Sequence, residues 1–271
     1  MPELAAAPTV AQVLRDATSA LAASDTPRLD AELLLAHALG VDRSRLVLDS
    51  RRTVDASAVH GFRDLVARRA AREPVAYILG RKDFRRITLS VDPRVLIPRP
   101  ETELLVEVGL TLPRGASVVD VGTGSGAVAL ALKDERPDLF VWATDVDPGA
   151  LAVARANGFH LGMWVEFVQA DLLDGVERSL DAVLANLPYV PVDTELPPDV
   201  ARYEPAGALF AGCDGLDVIR RLVDTSNAPL VALEVGFDQA HAVAGLLEPR
   251  TNSIEIVRDL AGIERIVVGR R

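Results

Sequence analysis

The sequence predicts an α/β protein: a doubly wound, mostly parallel sheet closed by an antiparallel pair, with a small helical segment ahead of it. Three observations carry this. From Ala116 onward, short apolar runs alternate with stretches of helical periodicity, the pattern of successive β-α-β units. The run Ser117-Val118-Val119-Asp120-Val121 passes directly into Gly122-Thr123-Gly124-Ser125-Gly126 and then into small apolar residues, Ala127 to Leu132. That is the order strand, glycine turn, helix. Polar groups also recur just past successive apolar runs, at Asp145, Asp171 and Asn186, where open α/β sheets bind ligands.

The totals narrow the class. The chain has 271 residues, 49% hydrophobic and 25% charged, which suits one large globular domain or two smaller ones. A lone cysteine, Cys213, leaves no internal disulfide and fits a reducing compartment, so the expected location is the cytoplasm. Met1-Pro2-Glu3-Leu4 lacks the basic start and apolar core of a signal peptide. No apolar run approaches the roughly 20 residues that span a bilayer. His37, His60, His160 and His241 are scattered, so no metal site is expected. The net charge of −10 argues against nucleic acid as the substrate. The charge is uneven, however. Residues 61–99 hold Arg63, Arg68, Arg69, Arg72, Arg81, Lys82, Arg85, Arg86, Arg94 and Arg99 against only Asp64, Glu73, Asp83 and Asp92. This excess reads either as a docking surface for a large acidic partner or as a solvated face.

Taken in order, residues 1–80 read as a helical domain. Thr9 and Gln12 form a capping box, followed by Val10, Val13, Leu14, Ala17 and Leu21 at helical spacing. A second helix is expected from Pro27 to Leu39 with Leu29, Leu33, Leu34 and Ala38 inward and Gly40 at its exit. A short one covers Arg43–Leu48. A longer one runs from Ala56 to Arg72 on Val59, Phe62, Leu65 and Val66, stopped by Pro74. This domain carries no catalytic constellation and reads as a substrate-docking module. Residues 81–93 change to period two, with Ile87, Leu89 and Val91 alternating with Thr88 and Ser90, and form a hairpin linker. Residues 94–271 form the α/β domain. They open with two prolines, Pro98 and Pro100, and a helix that Glu101 or Thr102 caps.

In that domain the glycine turn lets the backbone approach a ligand, and the following helix offers free N–H groups. Its pattern fits a nicotinamide cofactor as well as S-adenosylmethionine. Asp145, ending the second strand, suits ribose hydroxyls, while Asp147 is better placed to cap the next helix. Asp171 can accept from an adenine amino group, with Leu172 as an apolar wall. The fourth strand, Ala182–Ala185, leads into Asn186-Leu187-Pro188-Tyr189. Asn186 offers a side-chain carbonyl and Leu187 a backbone carbonyl, held extended by Pro188. Tyr189 offers a flat face. Two acceptors and an aromatic wall suit a planar –NH2 group; an ordinary strand exit is the plain alternative. The proline-rich stretch that follows, to about Ala208, reads as a long loop of the kind used for lids or specificity. A further helix, the strand Leu230–Val235, a helix to Leu247 and the antiparallel pair Ile254–Val257 and Ile263–Val268 complete the sheet.

These motifs together resemble, end to end, the release factor glutamine methyltransferases, the PrmC or HemK family. The resemblance rests on Leu96-Ile97-Pro98-Arg99-Pro100-Glu101-Thr102-Glu103, Gly122–Gly126, Asp145, Asp171 and Asn186–Tyr189. Tyr203-Glu204-Pro205, Asp214-Gly215-Leu216 and Arg258-Asp259 extend it. It implies a Rossmann-like class I methyltransferase sheet and S-adenosylmethionine as cofactor. It implies methyl transfer to the side-chain amide of the glutamine in the Gly-Gly-Gln motif of peptide-chain release factors, a protein methylation in translation termination. The cofactor residues would be Asp120, Gly122, Thr123, Gly124, Ser125, Gly126, Asp145, Asp171, Leu172 and Asn186. Asn186, Leu187, Pro188 and Tyr189 would hold the glutamine. One position departs: the family's element usually reads Asn-Pro-Pro-Tyr. Asn-Leu-Pro-Tyr resembles the ribosomal-RNA adenine dimethyltransferases, so adenine-N6 methylation of RNA or DNA is the alternative. A catalytically silent cofactor-binding module and a nicotinamide oxidoreductase are more distant rivals.

Overall fold

The computed structural model describes residues 7–176 and 179–271. Met1–Leu4, on which the expectation of no signal peptide rests, lies outside the described residues. The chain forms two compact units. One holds the described residues up to Gly80 together with Pro197–Tyr203; the other holds Arg81–Leu196 and Glu204–Arg271.

The first unit packs α1 (Val10–Ala20), α2 (Pro27–Leu39), α3 (Arg43–Leu48), α4 (Ala56–Ala70) and α5 (Val75–Leu79). Thr9 and Gln12 make the reciprocal capping box, with the Gln12 amide reaching Thr9 Oγ1 and the Thr9 amide reaching Gln12 Oε1 at 2.7 Å. Such a cap stabilises a helix by about 1 kcal/mol. The face that α2 buries differs from expectation. Leu29 is exposed and Leu33 and Ala38 are half-buried, while Ala31, Leu34 and Leu35 are in the core. Asp30 is buried on the same face, where an apolar pattern places no charge. Its carboxylate accepts from Ser24 (2.6 Å), Thr26 (2.9 Å) and the buried guanidinium of Arg69 (2.7 Å). Apolar periodicity cannot register a buried charge pair.

The second unit opens with the hairpin β1 (Arg81–Phe84) and β2 (Ile87–Ser90), then α6 (Glu103–Leu110) after a 3-10 turn at Pro100–Thr102. Neither Glu101 nor Thr102 caps α6 through its side chain, because Thr102 is itself in helical conformation and buried. Then follow β3 (Ser117–Val121), α7 (Ala127–Glu135), β4 (Phe140–Asp145), α8 (Pro148–Leu161), β5 (Glu166–Gln169) and β6 (Ala182–Ala185). The stretch expected as a loop contains α9 (Pro198–Tyr203) and a 3-10 turn at Ala206–Ala208. The sequence reading kept 197–203 within 94–271, whereas in the structure this segment clusters with the first unit. The Asp199 carboxylate meets Arg72 at 3.0 Å and Arg69 at 3.5 Å, and the Tyr203 hydroxyl donates to the Ala71 carbonyl at 3.0 Å. The chain closes with α10 (Asp217–Thr225), β7 (Leu230–Glu234), α11 (Ala240–Leu247), β8 (Ser253–Arg258) and β9 (Glu264–Arg270).

The large sheet has the order β5-β4-β3-β6-β7-β9-β8, parallel from β5 to β7 and antiparallel at β9 and β8. Period two along each strand divides two cores. Val118, Leu184, Ala232 and Val268 face α6, α7 and the hairpin residues Phe84, Ile87 and Leu89. Val119, Val183, Val231 and Val267 face α10 and α11. Burial on both faces is why these strands read as continuous apolar runs. No helix among the described residues is long and apolar enough to cross a membrane.

The Asp30–Arg69 pair gives a direct test. Asp30→Ala leaves a guanidinium buried without its main partner and should cost about 3–5 kcal/mol, read from urea unfolding followed by far-ultraviolet circular dichroism.

Candidate active site

Sheet register builds the site. In the parallel β3–β6 pair Val121 lies opposite Ala185, so Gly122 and Asn186 leave adjacent strand ends at the same level. β3 is also where the strand order reverses, the position at which open α/β sheets hold ligands. A cavity of about 500 Å³ opens there. The glycine turn, Asp145, Leu172 and Asn186–Pro188 line it, and Val95, Leu96 and Pro98 of the proline-arginine-proline run form another wall.

The turn is held from below. Asp120 is fully buried and accepts from Thr123 Oγ1 (2.6 Å) and the Ala129 amide (3.1 Å). Burial pushes its carboxyl up to about 6, and these two hydrogen bonds pull against that shift. Gly122 and Thr123 both donate to the Thr144 carbonyl at 2.9 Å. Gly122 has φ +72°, and a Cβ there would stand 3.0 Å from Leu187 Cδ2. The positive φ strains any side chain there, and one would also need the Leu187 side chain to give way. Buried Asn157 ties the loop to the hairpin: its Nδ2 donates to the carbonyls of Ser125 (2.9 Å) and Ser90 (3.0 Å), and its Oδ1 accepts from the Ser90 amide (2.8 Å).

Asp145 presents its carboxylate at the end of β4. Oδ2 accepts from the Gly124 amide and Oδ1 from the Asp147 amide, both at 2.9 Å, and half-burial raises its pKa. Each oxygen keeps a second lone pair. Asp147 caps α8 through the Gly149 amide, as its position suggested. Leu172 adopts φ +56°, and its carbonyl accepts from Thr144 Oγ1 at 2.8 Å. That bond holds a strained backbone in place beside the cavity.

On the opposite side, Asn186 Nδ2 donates to Thr102 Oγ1 at 3.0 Å. The Leu187 side chain is buried against the glycine turn and Pro188 borders the cavity. Tyr189 stands just outside it. Its carbonyl accepts from Gln239 Nε2 at 2.9 Å and its hydroxyl donates to Glu234 Oε1 at 3.4 Å. Burial beside Glu234 raises the phenol pKa. The Glu234 carboxyl, also buried, is pushed up to about 7. Buried Glu204 pins the proline-arginine-proline run: Oε2 accepts from the Ile97 amide at 3.1 Å and Oε1 pairs with Arg99.

Of the predicted site residues, the cavity gathers Asp120, Gly122, Thr123, Gly124, Ser125, Asp145, Asp171, Leu172, Asn186, Leu187 and Pro188. Gly126 and Tyr189 are not among its lining. Gly126 has φ +84° and lies under α7, where a Cβ would meet Leu130 at 2.9 Å and Ala154 at 3.3 Å. Asp171 is exposed and ion-paired with Arg221 at 2.6 Å, so its carboxylate is shared with a cation at the cavity edge. Sequence reading missed Thr102, Glu204 and Glu234 as parts of the site. An acid closing the otherwise wholly apolar run Leu230–Glu234 was the available signal for the last. The basic stretch 61–99 is largely committed internally, through Arg68–Glu73, Arg69–Asp30, Arg72–Asp199, Arg85–Glu135, Arg94–Asp92 and Arg99–Glu204. Arg63, Arg81, Lys82 and Arg86 lie outside these pairs. No group of three potential metal ligands occurs among the described residues.

A mostly parallel sheet of this order, with a glycine turn and strand-end acids around one cavity, defines a class I methyltransferase. The Methyltransferase small domain family matches residues 100–198. The catalytic domain of hMettl16 in complex with MAT2A 3′UTR hairpin 6 shares the fold, with a TM-score of 0.57 at 18% identity over 76% of this chain and 82% of that one. The PrmC N-terminal domain family matches residues 12–80. The release factor glutamine methyltransferase of Koribacter versatilis is 40% identical, covering 97% of this chain and 99% of that protein. That of Mycolicibacterium smegmatis is 48% identical over 76% of this chain and 75% of that protein. The chain belongs to the release factor glutamine methyltransferase family, whose fold implies use of S-adenosylmethionine.

The Glu204 clamp can be checked directly. Glu204→Ala removes a charge-assisted bond worth about 1.5–3 kcal/mol, so hydrogen exchange of the Ile97 amide should accelerate by about 10–100-fold.

Proposed function

We propose that this protein methylates the side-chain amide nitrogen of the glutamine in the Gly-Gly-Gln motif of peptide-chain release factors, with Asn186 as the residue that grips the amide. The single observation behind this is that Asn186 and the glycine turn share one cavity at adjacent strand ends. Family membership supplies the substrate class.

The residues present suit S-adenosylmethionine. A cavity of about 500 Å³ matches a nucleoside with an amino-acid tail. Gly122 and Gly124, both at positive φ, let backbone come close to it. Asp145 would accept from ribose hydroxyls through its spare lone pairs, and Leu172 would flank the adenine. Asp171, shared with Arg221, would meet the adenine amino group only at the cavity edge. Asp120 would act by holding the turn. When bound, the cofactor supplies an electrophilic methyl group on a sulfonium.

The chain's own task is to make a poor nucleophile react. An amide lone pair is delocalised into its carbonyl. Asn186 Nδ2 is committed to Thr102, which turns Oδ1 away from that bond and frees it to accept a substrate N–H. The Leu187 carbonyl would accept the second N–H. Two acceptors orient the nitrogen and stabilise positive charge as it develops there; as the N–CH3 bond forms the sulfur would be left a neutral thioether, and the nitrogen would release one proton to solvent. Tyr189 would form the aromatic wall beside the amide. Fixing both reactants can contribute roughly 7–11 kcal/mol in favourable cases. The Leu187 side chain packs against Gly122, while its backbone carbonyl would serve the substrate. Residues 1–80 would dock the release factor, consistent with the match to the PrmC N-terminal domain.

Asn186→Ala should leave cofactor affinity nearly unchanged by isothermal titration while transfer falls by about 10²–10³-fold, the range for removing one preorganised group. Asp145→Ala should instead weaken cofactor binding by about 10–100-fold, as loss of a charged acceptor predicts. Mass spectrometry of a release factor incubated with the protein and cofactor should find one added methyl on the Gly-Gly-Gln glutamine. A methyl on ribosomal RNA and none on the release factor would overturn the reading.

A further inference from the structure

The nucleoside end of the cavity is braced from the last two residues of β4. The Thr144 carbonyl accepts from the Gly122 and Thr123 amides, both at 2.9 Å, and the Asp145 carboxylate accepts from the Gly124 amide at 2.9 Å. On the other side, the Asp145 carbonyl accepts from the Ala170 amide at 3.1 Å, and Thr144 Oγ1 donates to the Leu172 carbonyl at 2.8 Å. The glycine turn and the stretch 170–172 therefore hang from one strand end. Most of these ties use main chain, or the Asp145 carboxylate that lines the cavity. The tie to Leu172 is different. It belongs to a side chain that is fully buried and lies outside the cavity lining.

Leu172 needs such a tie. Four non-glycine residues among the described ones take a positive φ: Arg72, Arg85, Leu172 and Asp238. Of these, Leu172 is the one that lines the cavity. It stands second in a turn that the Asp174 amide closes onto the Asp171 carbonyl at 3.1 Å. Positive φ at that place in a turn is ordinarily met by Gly, Asn or Asp. Leucine has no polar side-chain atom to offset the crowding of its Cβ. Such a conformation persists only where the surroundings hold it. Packing holds the side chain, which is buried in the core with Val119 and Val183. The carbonyl is held by Thr144. A β-branched side chain is stiff at χ1, so this hydroxyl keeps its aim.

We propose that Thr144 is a positioning residue for the cofactor: its hydroxyl holds Leu172 in the left-handed conformation that places the adenine wall, and so sets cofactor affinity without touching the ligand. The proposal rests on the reading that the nucleoside of S-adenosylmethionine lies between Asp145 and Leu172. With the bond removed, the leucine relaxes towards negative φ. Its side chain then turns relative to the glycine turn, and Asp171 moves with it. The wall stays apolar but leaves its place opposite Asp145. Were residue 172 glycine, positive φ would need no such support. That dependence separates positioning from a plain contribution to stability. A hydroxyl that served the fold alone would lower Tm whatever stood at 172. A positioning hydroxyl weakens ligand binding where residue 172 resists its own conformation.

The test uses variants of the full chain with S-adenosylhomocysteine as the probe, Kd by isothermal titration and Tm by calorimetry. Thr144→Val keeps the shape and removes the donor. It should raise Kd by about five- to tenfold, as loss of one neutral hydrogen bond predicts. Thr144→Ser keeps the donor and should stay within about twofold of the parent. In a Leu172→Gly background, adding Thr144→Val should change Kd by less than about twofold. Should Thr144→Val fail to fold, Thr144→Ala carries the same expectations. A parental Kd in Thr144→Val, or an equal loss with leucine and with glycine at 172, would overturn the assignment. Asp145→Ala separates the two levels. If it binds the probe as the parent does, the placement of the nucleoside itself is wrong. If it binds weakly while Thr144→Val matches the parent, only this inference fails.

Discussion

Parallel pairing between β3 and β6 sets Val121 against Ala185, and the rest of the site depends on that register. Because the two strands run the same way and end together, Gly122 and Asn186 emerge side by side; a Cβ on Gly122 would lie 3.8 Å from the Asn186 carbonyl oxygen. The strands that follow diverge, β4 and β5 to one side, β6 and β7 to the other. A crevice must open where they part. The division of labour follows from the same order: the β3–β5 ends carry the turn, Asp145 and Leu172, and the β6–β7 ends carry Asn186 and Glu234.

Holding polar groups in a crevice between two apolar cores has an energetic cost that the structure meets in detail. Asp120, Asn157, Glu204 and Glu234 are all buried, and an unpaired buried group of this kind costs several kcal/mol. Three of them hold backbone, two with a side-chain partner besides: Asp120 accepts from Ala129 and from Thr123 Oγ1, Asn157 bridges Ser90 and Ser125, and Glu204 accepts from Ile97 and pairs with Arg99. They act as scaffolding, fixing a turn, a hairpin and a loop. Glu234 differs: it holds no backbone group, its Oε1 accepts from the Tyr189 hydroxyl, and its Oε2 is buried with no hydrogen-bond partner.

The sheet was legible in the sequence because its signals are local. Apolar runs such as Ala182–Ala185 and Leu230–Glu234 are buried on both faces, and the glycine turn follows its strand directly. The strand-end groups Asp145 and Asn186 could be placed by the same logic. What stayed hidden depends on contacts between distant positions. Thr102 reads as a helix cap by its neighbours, yet its hydroxyl accepts from Asn186 on a distant strand end. Glu204 reads as part of a loop motif, yet it clamps Ile97 and Arg99 more than a hundred positions earlier. The burial of Asp30 on α2 stayed hidden for the same reason: Arg69, its partner, lies on another helix. The basic stretch misleads a linear count, because the acids that neutralise Arg85, Arg99 and Arg72 come from Glu135, Glu204 and Asp199.

Leu187 shows how one side chain ties the two halves of the crevice together. Its backbone belongs to the acceptor loop, but its Cδ2 rests where a Cβ on Gly122 would be crowded. It is almost fully buried in the core formed with Val119, Val121 and Val183. The turn and the acceptor loop therefore share a packing contact as well as a register, and neither can shift without disturbing the other. A proline at 187, the residue more usual in this element, would restrain the loop through its own φ instead. Leucine leaves φ free and restrains the loop by packing.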